Sequence, residues 1–136
     1  MHGNGTRHFK NGSMYTGPYV NGKRTGRGQH VFTNGDQYVG DFREDSMDGF
    51  GRYYFRNNNE SFEGNFKLGK KEGKGKYEWG DGTVDIVQYS GDVRVGEGVR
   101  FSSNRKKMWK LEGNKVKGKI SQEKANRIIE RLSRMT

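Results

Sequence analysis

The chain is 136 residues long, has no cysteine and carries a formal net charge of +10. This length suits one domain, and the absence of cysteine excludes disulfides and thiolate chemistry. Hydrophobic residues make up only 29% of the chain, but eight Phe, seven Tyr and two Trp are more aromatics than disordered chains carry, so the composition predicts a thin sheet rather than a thick globular core.

The repeating element is Gly-x-Gly, which recurs every 23 or 24 residues from Gly3 to Gly96. Between its copies lie the segments YTGPY (15–19), YVGDF (38–42) and FEGNF (62–66), all of the form aromatic-x-Gly-x-aromatic. Alternating residues indicate strands, and Asn, Asp and Gly between them indicate tight turns, so each repeat predicts one β-hairpin whose second strand opens at Gly-x-Gly. Because glycine leaves bare backbone in a strand, we expect the aromatic rings to cover it on neighbouring strands.

The iterated pattern Y-x-G-x-[FY]-x-x-G-x-x-x-G-x-G resembles the MORN (membrane occupation and recognition nexus) repeat from residue 3 to about residue 83. The resemblance implies an all-β fold: an elongated, single-layer, twisted antiparallel sheet of stacked β-hairpins, here with a C-terminal capping α-helix. The predicted boundaries are 1–14 for a partial repeat, 15–37, 38–61 and 62–83 for three full repeats, 84–120 for a degenerate repeat with a basic terminal hairpin, and 121–136 for an amphipathic helix.

The degenerate repeat departs from the pattern. Tyr89 and Phe101 are out of step with the aromatics of the earlier repeats, and a slip of one residue in a strand reverses its faces. We therefore expect the sheet to curl, bulge or close differently at this end. At the other end the pattern starts within a repeat at Gly3, so a processed or excerpted N-terminus is an open alternative.

The final segment predicts an amphipathic helix. Ser121 suits the N-cap, and Ala125, Ile128, Ile129 and Leu132 form one apolar stripe. We expect the helix to cover the open last edge of the sheet, as terminal caps do in repeat proteins. The alternative is a basic amphipathic helix that lies on a membrane or in a partner's groove.

One stretch resembles a phosphate-binding loop. GPYVNGKR (17–24) comes within one residue of G-x-x-x-x-G-K-[ST], but Arg24 occupies the position that needs Ser or Thr. A similar stretch, GNFKLGKK, recurs at 64–71, so the periodicity explains the match. We interpret Lys23 and Arg24 as solvent-exposed turn residues.

No other pattern predicts catalysis. There is no convincing nucleophile–base pair, and His2, His8 and His30 lack metal-binding spacing. The sequence therefore predicts a protein that is not an enzyme and has no catalytic residue, cofactor or metal. A regulatory piece of a larger enzyme stays open as a third function, because MORN repeats accompany kinases and methyltransferases.

The leading functional hypothesis is a non-catalytic scaffold that docks a partner protein, as one subunit of a larger assembly. A single sheet cannot bury both of its faces, so part of the aromatic row is expected to form a groove for a helix or peptide of the partner. The predicted groove residues are Tyr15, Tyr19, Phe32, Tyr38, Phe42, Phe55, Phe62, Phe66, Tyr77 and Trp79.

The second hypothesis concerns the charge distribution, since residues 1–99 carry a net charge of +1 and residues 100–136 carry +9. A basic segment of this kind can bind anionic phospholipids such as phosphoinositides or phosphatidylserine, or an acidic partner. Nucleic acid is an unlikely partner, because Trp109 is the only base-stacking ring between residues 105 and 119. The predicted basic site comprises Arg105, Lys106, Lys107, Lys110, Lys115, Lys117 and Lys119.

The sequence leaves the oligomeric state and the cellular location open. Exposed edge strands would allow a homodimer. No apolar run approaches the roughly 20 residues that cross a bilayer, and the N-terminus resembles neither a signal nor a transit peptide. We expect an intracellular protein, soluble or peripheral to a membrane, with an organelle such as the plastid possible if a targeting segment was removed.

Overall fold

The computed structural model describes residues 3–134, which form one antiparallel sheet of twelve strands and a C-terminal helix. Strand order in the sheet follows chain order, and the sheet is open, so the predicted fold class is confirmed. Strands β3 and β4 are two parts of one strand that is interrupted at Thr25. The elements are β1 (Gly3–His8), β2 (Met14–Val20), β3 (Lys23–Arg24), β4 (Gly26–Val31), β5 (Gln37–Arg43), β6 (Ser46–Phe55), β7 (Glu60–Lys67), β8 (Lys70–Glu78), β9 (Val84–Ser90), β10 (Val93–Phe101), β11 (Met108–Glu112), β12 (Lys115–Ile120) and α1 (Gln122–Arg134).

Two-residue turns close the hairpins at one side of the sheet. In the turns that follow β2, β5, β7 and β9 both residues have positive φ, as type I′ turns require, and Gly or Asp occupies the second position. The turns are Asn21-Gly22, Glu44-Asp45, Leu68-Gly69 and Gly91-Asp92. The second strand of each hairpin therefore starts directly after its turn.

The prediction that Gly-x-Gly opens the second strand holds for β4, which begins at Gly26, and is wrong for β6, β8 and β10, which begin three residues before their first glycine. Strand β6 begins at Ser46, and its first glycine, Gly49, lies at a bulge with φ of 104°. The bulge shifts the register of β5 and β6 between Gly40 and Phe42, and an added Cβ at Gly49 would meet Asp41. A side chain at Gly49 would therefore point towards Asp41 and not beneath an aromatic ring.

In the three full repeats the second glycine of the pair, Gly28, Gly51 or Gly75, lies beneath an aromatic ring, as predicted. Across the sheet, Gly28 pairs with Gly40, Gly40 with Gly51 and Gly51 with Gly64. An added Cβ at Gly51 would come closer than 3.0 Å to the ring of Tyr38. Tyr15 covers Gly28 and Phe62 covers Gly75 in the same way. We call these paired glycines the glycine ladder.

The three rings that cover the glycine ladder and four further rings between and beside them form a continuous buried row, which we call the inner row. Neighbouring rings meet edge to face, with centroids 5.0–5.4 Å apart and interplanar angles of 80–90°, a favourable arrangement for aromatic pairs. Each side chain is at most 5% exposed. In spatial order the inner row is Tyr19, Tyr15, Phe42, Tyr38, Phe66, Phe62 and Tyr89.

The degenerate repeat continues the sheet with a partly changed surface. Tyr89 pairs with Gly73, and Phe66 of the preceding repeat pairs with the equivalent glycine, Gly49. Tyr89 therefore occupies the same position in the sheet as Phe66, and the prediction that it is out of step is wrong. Phe101 does lie on the opposite face, where it packs against the core beneath the helix. A bulge interrupts β10 between Val95 and Val99, as the full repeats also show.

Helix α1 packs on the face opposite the inner row. The Ser121 hydroxyl accepts a hydrogen bond from the backbone N–H of Lys124 (3.1 Å), which confirms the predicted N-cap. Ala125, Ile128 and Leu132 are buried in a core that includes Val99 and Met108. The helix covers β9 to β11, so β12 remains the edge of the described sheet, and the prediction that the helix covers this edge is wrong.

The glycine ladder predicts a large cost for any side chain added to it. Gly51→Val should lower the free energy of unfolding by roughly 2–3 kcal/mol, because the Tyr38 ring must leave its packed position. Arg52→Ala, an exposed change at the next residue, is the control and should stay within about 0.5 kcal/mol of the wild type. Urea denaturation measures both, and a Gly51→Val variant as stable as the control would contradict the role of the ladder.

Candidate interaction surface

A second line of rings runs beside the inner row, on the side where the longer turns lie, and we call it the outer row. Its members lie in or directly after strands β1, β4, β6 and β8, two or four residues after Gly5, Gly28, Gly51 and Gly75. Consecutive ring centroids are 4.5–6.1 Å apart, and all the rings except the buried His30 are partly exposed. The outer row comprises Phe9, His30, Phe32, Tyr53, Phe55, Tyr77 and Trp79.

The ten predicted groove residues divide between the two rows. Six are buried in the inner row, where they pack within the chain and offer no surface to a partner: Tyr15, Tyr19, Tyr38, Phe42, Phe62 and Phe66. The other four, Phe32, Phe55, Tyr77 and Trp79, belong to the outer row. Our sequence reasoning missed Phe9, His30 and Tyr53, although their spacing from the covered glycines could have identified them.

Carboxylates from the preceding repeat hold the tyrosines of the outer row. The Tyr53 hydroxyl donates to the Asp36 carboxylate at 3.1 Å, and the Tyr77 hydroxyl donates to the Glu60 carboxylate. Burial, together with the hydrogen bond to Asp36, raises the pKa of Tyr53 to about 12. Both hydroxyls therefore stay protonated as donors, and both rings are fixed in place.

Basic side chains reach over the rings from the start of the second strand in three of the hairpins, at Arg24, Lys71 and Arg94. The Arg24 guanidinium lies 5.1–5.9 Å from the ring centroids of Phe9, Tyr15 and Phe42 and forms an ion pair with Asp45 at 3.0 Å. Only 21% of its side chain is exposed, so its interpretation as a solvent-exposed turn residue is wrong. Cation–π contact explains why a basic residue lies at this position.

Lys71 occupies the equivalent position two hairpins further along. Its ammonium lies 5.4–5.8 Å from the ring centroids of Phe55, Phe62 and Tyr89. Burial lowers the pKa of Lys71, and Asp92 partly opposes this effect. Among the ion pairs of residues 3–134, none within 4.0 Å involves Lys71. Its charge is therefore balanced mainly by aromatic faces.

A buried ion cluster ends the inner row in the degenerate repeat. Asp85 is fully buried and accepts hydrogen bonds from Arg94 (2.8 Å), Arg100 (2.7 and 3.0 Å) and the Trp79 indole (2.9 Å). Burial alone would raise the pKa of Asp85, but these three partners lower it below its usual value. Asp85 therefore remains ionised and fixes the orientation of Trp79.

The outer row leads into a cavity of about 680 Å³. Trp79 and Trp109 line it together with Val116, and Arg100, Glu60 and Asp81 contribute charged groups. A volume of this size suits a large side chain or a small ligand. The cavity therefore continues the aromatic surface beyond the last ring of the outer row.

The predicted basic site divides into engaged and exposed side chains. The Arg105 guanidinium donates to the carbonyls of Gly82, Ser102 and Ser103, and Lys110 lies 3.5 Å from Glu112. The remaining five are exposed, in the turn before β11 or on the edge strand β12: Lys106, Lys107, Lys115, Lys117 and Lys119.

Comparison with protein families identifies the repeat. The family model of the MORN repeat matches residues 1–14, 15–37, 38–60 and 62–84, which together make up more than half of the chain. The chain belongs to the MORN-repeat family. A search of curated proteins finds no match to it.

MORN repeats are modules that often mediate protein or membrane interactions, and the family is generally non-catalytic. Within residues 3–134 of this MORN-repeat protein, no helix is long and apolar enough to cross a membrane. The same part of the chain contains no group of three or more His, Asp or Glu side chains positioned to hold a metal ion.

His30 should make the stability of this MORN-repeat protein depend on pH. Arg24 donates to its Nδ1 at 3.1 Å, so the imidazole is neutral, and burial together with Arg24 lowers the pKa of His30. A lowered pKa means that the unfolded chain binds the proton more readily. The contribution of neutral His30 to the free energy of unfolding is therefore fully present above about pH 6.5. It is lost as the pH falls through the pKa of His30 in the folded protein, by up to about 1.4 kcal/mol per pH unit.

Denaturation at a series of pH values between about 5 and 7.5 measures this slope. His30→Tyr places the residue of the equivalent positions 53 and 77 there and should reduce the slope, whereas His8→Tyr, on the exposed strand β1, should keep the wild-type slope. Equal slopes in the wild type and His30→Tyr would exclude His30 as the cause.

Proposed function

We propose that this protein is a non-catalytic scaffold that docks an apolar segment with acidic residues from a partner protein on the outer row. The observation that carries the proposal is the continuity of the outer row: seven rings in contact, all but one partly exposed, along one side of the sheet. Exposed aromatic surface of this extent is typical of interaction sites.

The rigidity of the surface supports this function. The inner row and the turn carboxylates hold the outer rings in place, so little conformational entropy is lost when a partner binds. The cavity between Trp79 and Trp109 offers a pocket in which one large apolar residue of the partner can be anchored.

The charge beside the row supports an acidic partner. Lys71 is partly buried among three rings, and a carboxylate from a partner would relieve the cost of burying its ammonium. The net charge of +10 acts in the same direction by attracting acidic proteins over a longer range.

The repeat spacing indicates how a helix would fit. Each repeat contributes two strands, so equivalent positions in successive repeats are about 9–10 Å apart. A helix rises about 10.5 Å in seven residues. Apolar residues at intervals of about seven would therefore meet equivalent rings in successive repeats, within the limits set by the twist of the sheet.

Site-specific photo-crosslinking tests the proposal. A benzophenone side chain at position 55 should capture a partner segment that mass spectrometry maps to an apolar sequence with Asp or Glu, because this position lies in the outer row. Position 54 is the matched control, since Tyr54 is 37% exposed on the opposite face. Capture of the same segment with equal yield from both positions would contradict the proposal.

The captured segment then allows a test of the charge preference. Lys71→Met removes the ammonium but places there the residue found at the equivalent position 47, so the fold should be retained. The affinity for the segment should fall about tenfold. Unchanged affinity would show that Lys71 does not bind an acidic residue of the partner. The role of the aromatic surface is tested separately by the crosslinking experiment.

A second candidate function is binding to anionic phospholipid surfaces, favoured by the five exposed lysines between positions 106 and 119. Near such a surface each lysine contributes roughly 1 kcal/mol, and salt screens the attraction. We expect the protein to sediment with phosphatidylserine vesicles at low salt and not at high salt.

The matched variants for this test each remove five exposed lysines. Changing Lys106, Lys107, Lys115, Lys117 and Lys119 to Ala should abolish sedimentation, whereas changing Lys10, Lys67, Lys70, Lys76 and Lys124 to Ala removes the same charge elsewhere and should retain most of it. Failure of the wild type to sediment at low salt, or equal losses in both variants, would rule out the assigned site.

A further inference from the structure

The outer row has no ring at its two positions in the degenerate repeat. In the three full repeats its rings lie two and four residues after the covered glycine. The glycine at the corresponding position here is Gly98, and the residues two and four positions after it are Arg100 and Ser102. The nearby ring of Phe101 packs on the opposite face, beneath the helix, so it cannot replace them.

The backbone shows that Ser102 takes the place that Trp79 has in the preceding repeat. The carbonyl of Trp79 accepts a hydrogen bond from the N–H of the third residue after it, Gly82 (3.0 Å), and the carbonyl of Ser102 accepts one from Arg105 (2.8 Å) in the same way. The N–H groups of Trp79 and Ser102 both donate across the turn that follows. A small polar side chain therefore stands where the outer row would have its next ring.

The cavity of about 680 Å³ lies at this place. Arg100 and Ser102 both line it, together with Trp79 and Trp109. The Arg100 guanidinium continues the outer row, since it lies 5.3 Å from the ring centroid of Trp79. In the full repeats the two rings of the outer row have centroids 4.5–4.9 Å apart. A ring at the same distance from the guanidinium would lie in the cavity.

Trp109 lines the cavity without a partner of its own. It pairs with Arg100 across β10 and β11 and is partly exposed. Every ring of the inner and outer rows contacts another ring, whereas Trp109 contacts no ring and no cation within residues 3–134, and its indole donates no hydrogen bond there. An aromatic group in the cavity would give Trp109 the contact that the other rings have.

Two carboxylates of the cavity favour a hydrogen-bond donor on the group that enters. Glu60 accepts a hydrogen bond from the Tyr77 hydroxyl, and Asp81 accepts one from the backbone N–H of Thr83 at 2.9 Å. Neither carboxylate forms an ion pair within residues 3–134, and a carboxylate can accept several hydrogen bonds. Since tyrosines of the outer row already donate to carboxylates, an incoming ring with an O–H or N–H group would repeat this arrangement.

We propose that the cavity binds an aromatic side chain with a hydrogen-bond donor, tyrosine or tryptophan, from the docked segment of the partner. The ring takes the place of the absent ring of the outer row, beside the Arg100 guanidinium and against Trp109, where cation–π and aromatic contacts favour it. Its O–H or N–H group donates to Glu60 or Asp81. This inference rests on the proposed scaffold function and adds the identity of the residue that anchors the partner.

Single-residue probes test the cavity in the whole chain without a partner. The chain has two tryptophans, so NMR spectra of the ¹⁵N-labelled protein should show two indole N–H signals, which Trp79→Phe assigns. N-acetyl-tyrosinamide and N-acetyl-tryptophanamide should shift the Trp109 signal, and N-acetyl-leucinamide should bind at least about tenfold more weakly. No shift by the aromatic probes up to their solubility limits, or equal binding of the leucine probe, would overturn the proposal.

Variants at Ser102 test where the aromatic probes bind. Ser102→Phe introduces the ring of the equivalent positions 32 and 55 and should weaken their binding about tenfold or more, because the place is then filled. Ser102→Ala is the matched control: it also removes the hydroxyl that accepts from the Lys107 N–H but adds no ring, so binding should stay within about twofold of the wild type. Equal binding by the two variants would contradict the assigned place.

Trp109→Leu tests the other wall of the cavity and leaves the turn at Ser102 unchanged. The fold should be retained, because Trp109 contacts no other ring within residues 3–134, and the aromatic probes should bind about tenfold more weakly. The Trp79 indole signal reports binding in this variant. Wild-type affinity in Trp109→Leu would also overturn the proposal.

The partner segment captured by crosslinking distinguishes this proposal from the scaffold function. The segment should contain Tyr or Trp, and its replacement by Leu should lower the affinity for the wild-type chain about tenfold but leave the affinity for Ser102→Phe almost unchanged. A segment that is captured at position 55 but contains neither residue would overturn this proposal alone. Failure of the crosslinking test, with aromatic probes still bound at Trp109, would contradict the scaffold function and not the preference of the cavity for such rings.

Discussion

The structure depends on the contact between the inner aromatic rings and the glycine ladder. Tyr15, Tyr38 and Phe62 each lie over a glycine of their own strand and a glycine of the next strand, as Tyr38 does with Gly40 and Gly51. The ring gains a buried position that a single sheet could not otherwise offer, and the glycine gains the cover that its bare backbone lacks. Because every contact of this kind joins neighbouring strands, each hairpin is stabilised by the hairpins next to it, as in other repeat proteins.

The two aromatic rows have different roles because they lie at different depths. The inner row is buried, meets edge to face and holds the sheet together. The outer row lies at the side, where turn carboxylates such as Asp36 and Glu60 fix its tyrosines. One sheet therefore provides both a core and a rigid aromatic surface, and the Lys71 ammonium lies among rings of both rows.

Periodicity was sufficient to predict the repeat, the hairpins and the covered glycines, because alternation determines which residues share a face. It could not predict depth: Phe42 and Phe55 share a face, but Phe42 is buried in the inner row and Phe55 is partly exposed. The bulges at Gly49 and its equivalents were missed because spacing alone does not reveal a positive φ. Likewise, the apolar stripe of α1 predicted burial but not which surface of the sheet would provide it.

Strand order that follows chain order has a mechanical consequence. The hydrogen bonds between strands are perpendicular to the strands and so point along the direction in which the hairpins are stacked. Tension applied between β1 and the far end of the sheet would stretch these bonds along their length, with successive strand pairs loaded in series. The weakest pair would open first and release one hairpin's length of chain while the remaining rings stay packed, so the sheet would yield stepwise as an extensible spacer between whatever is attached at its two ends.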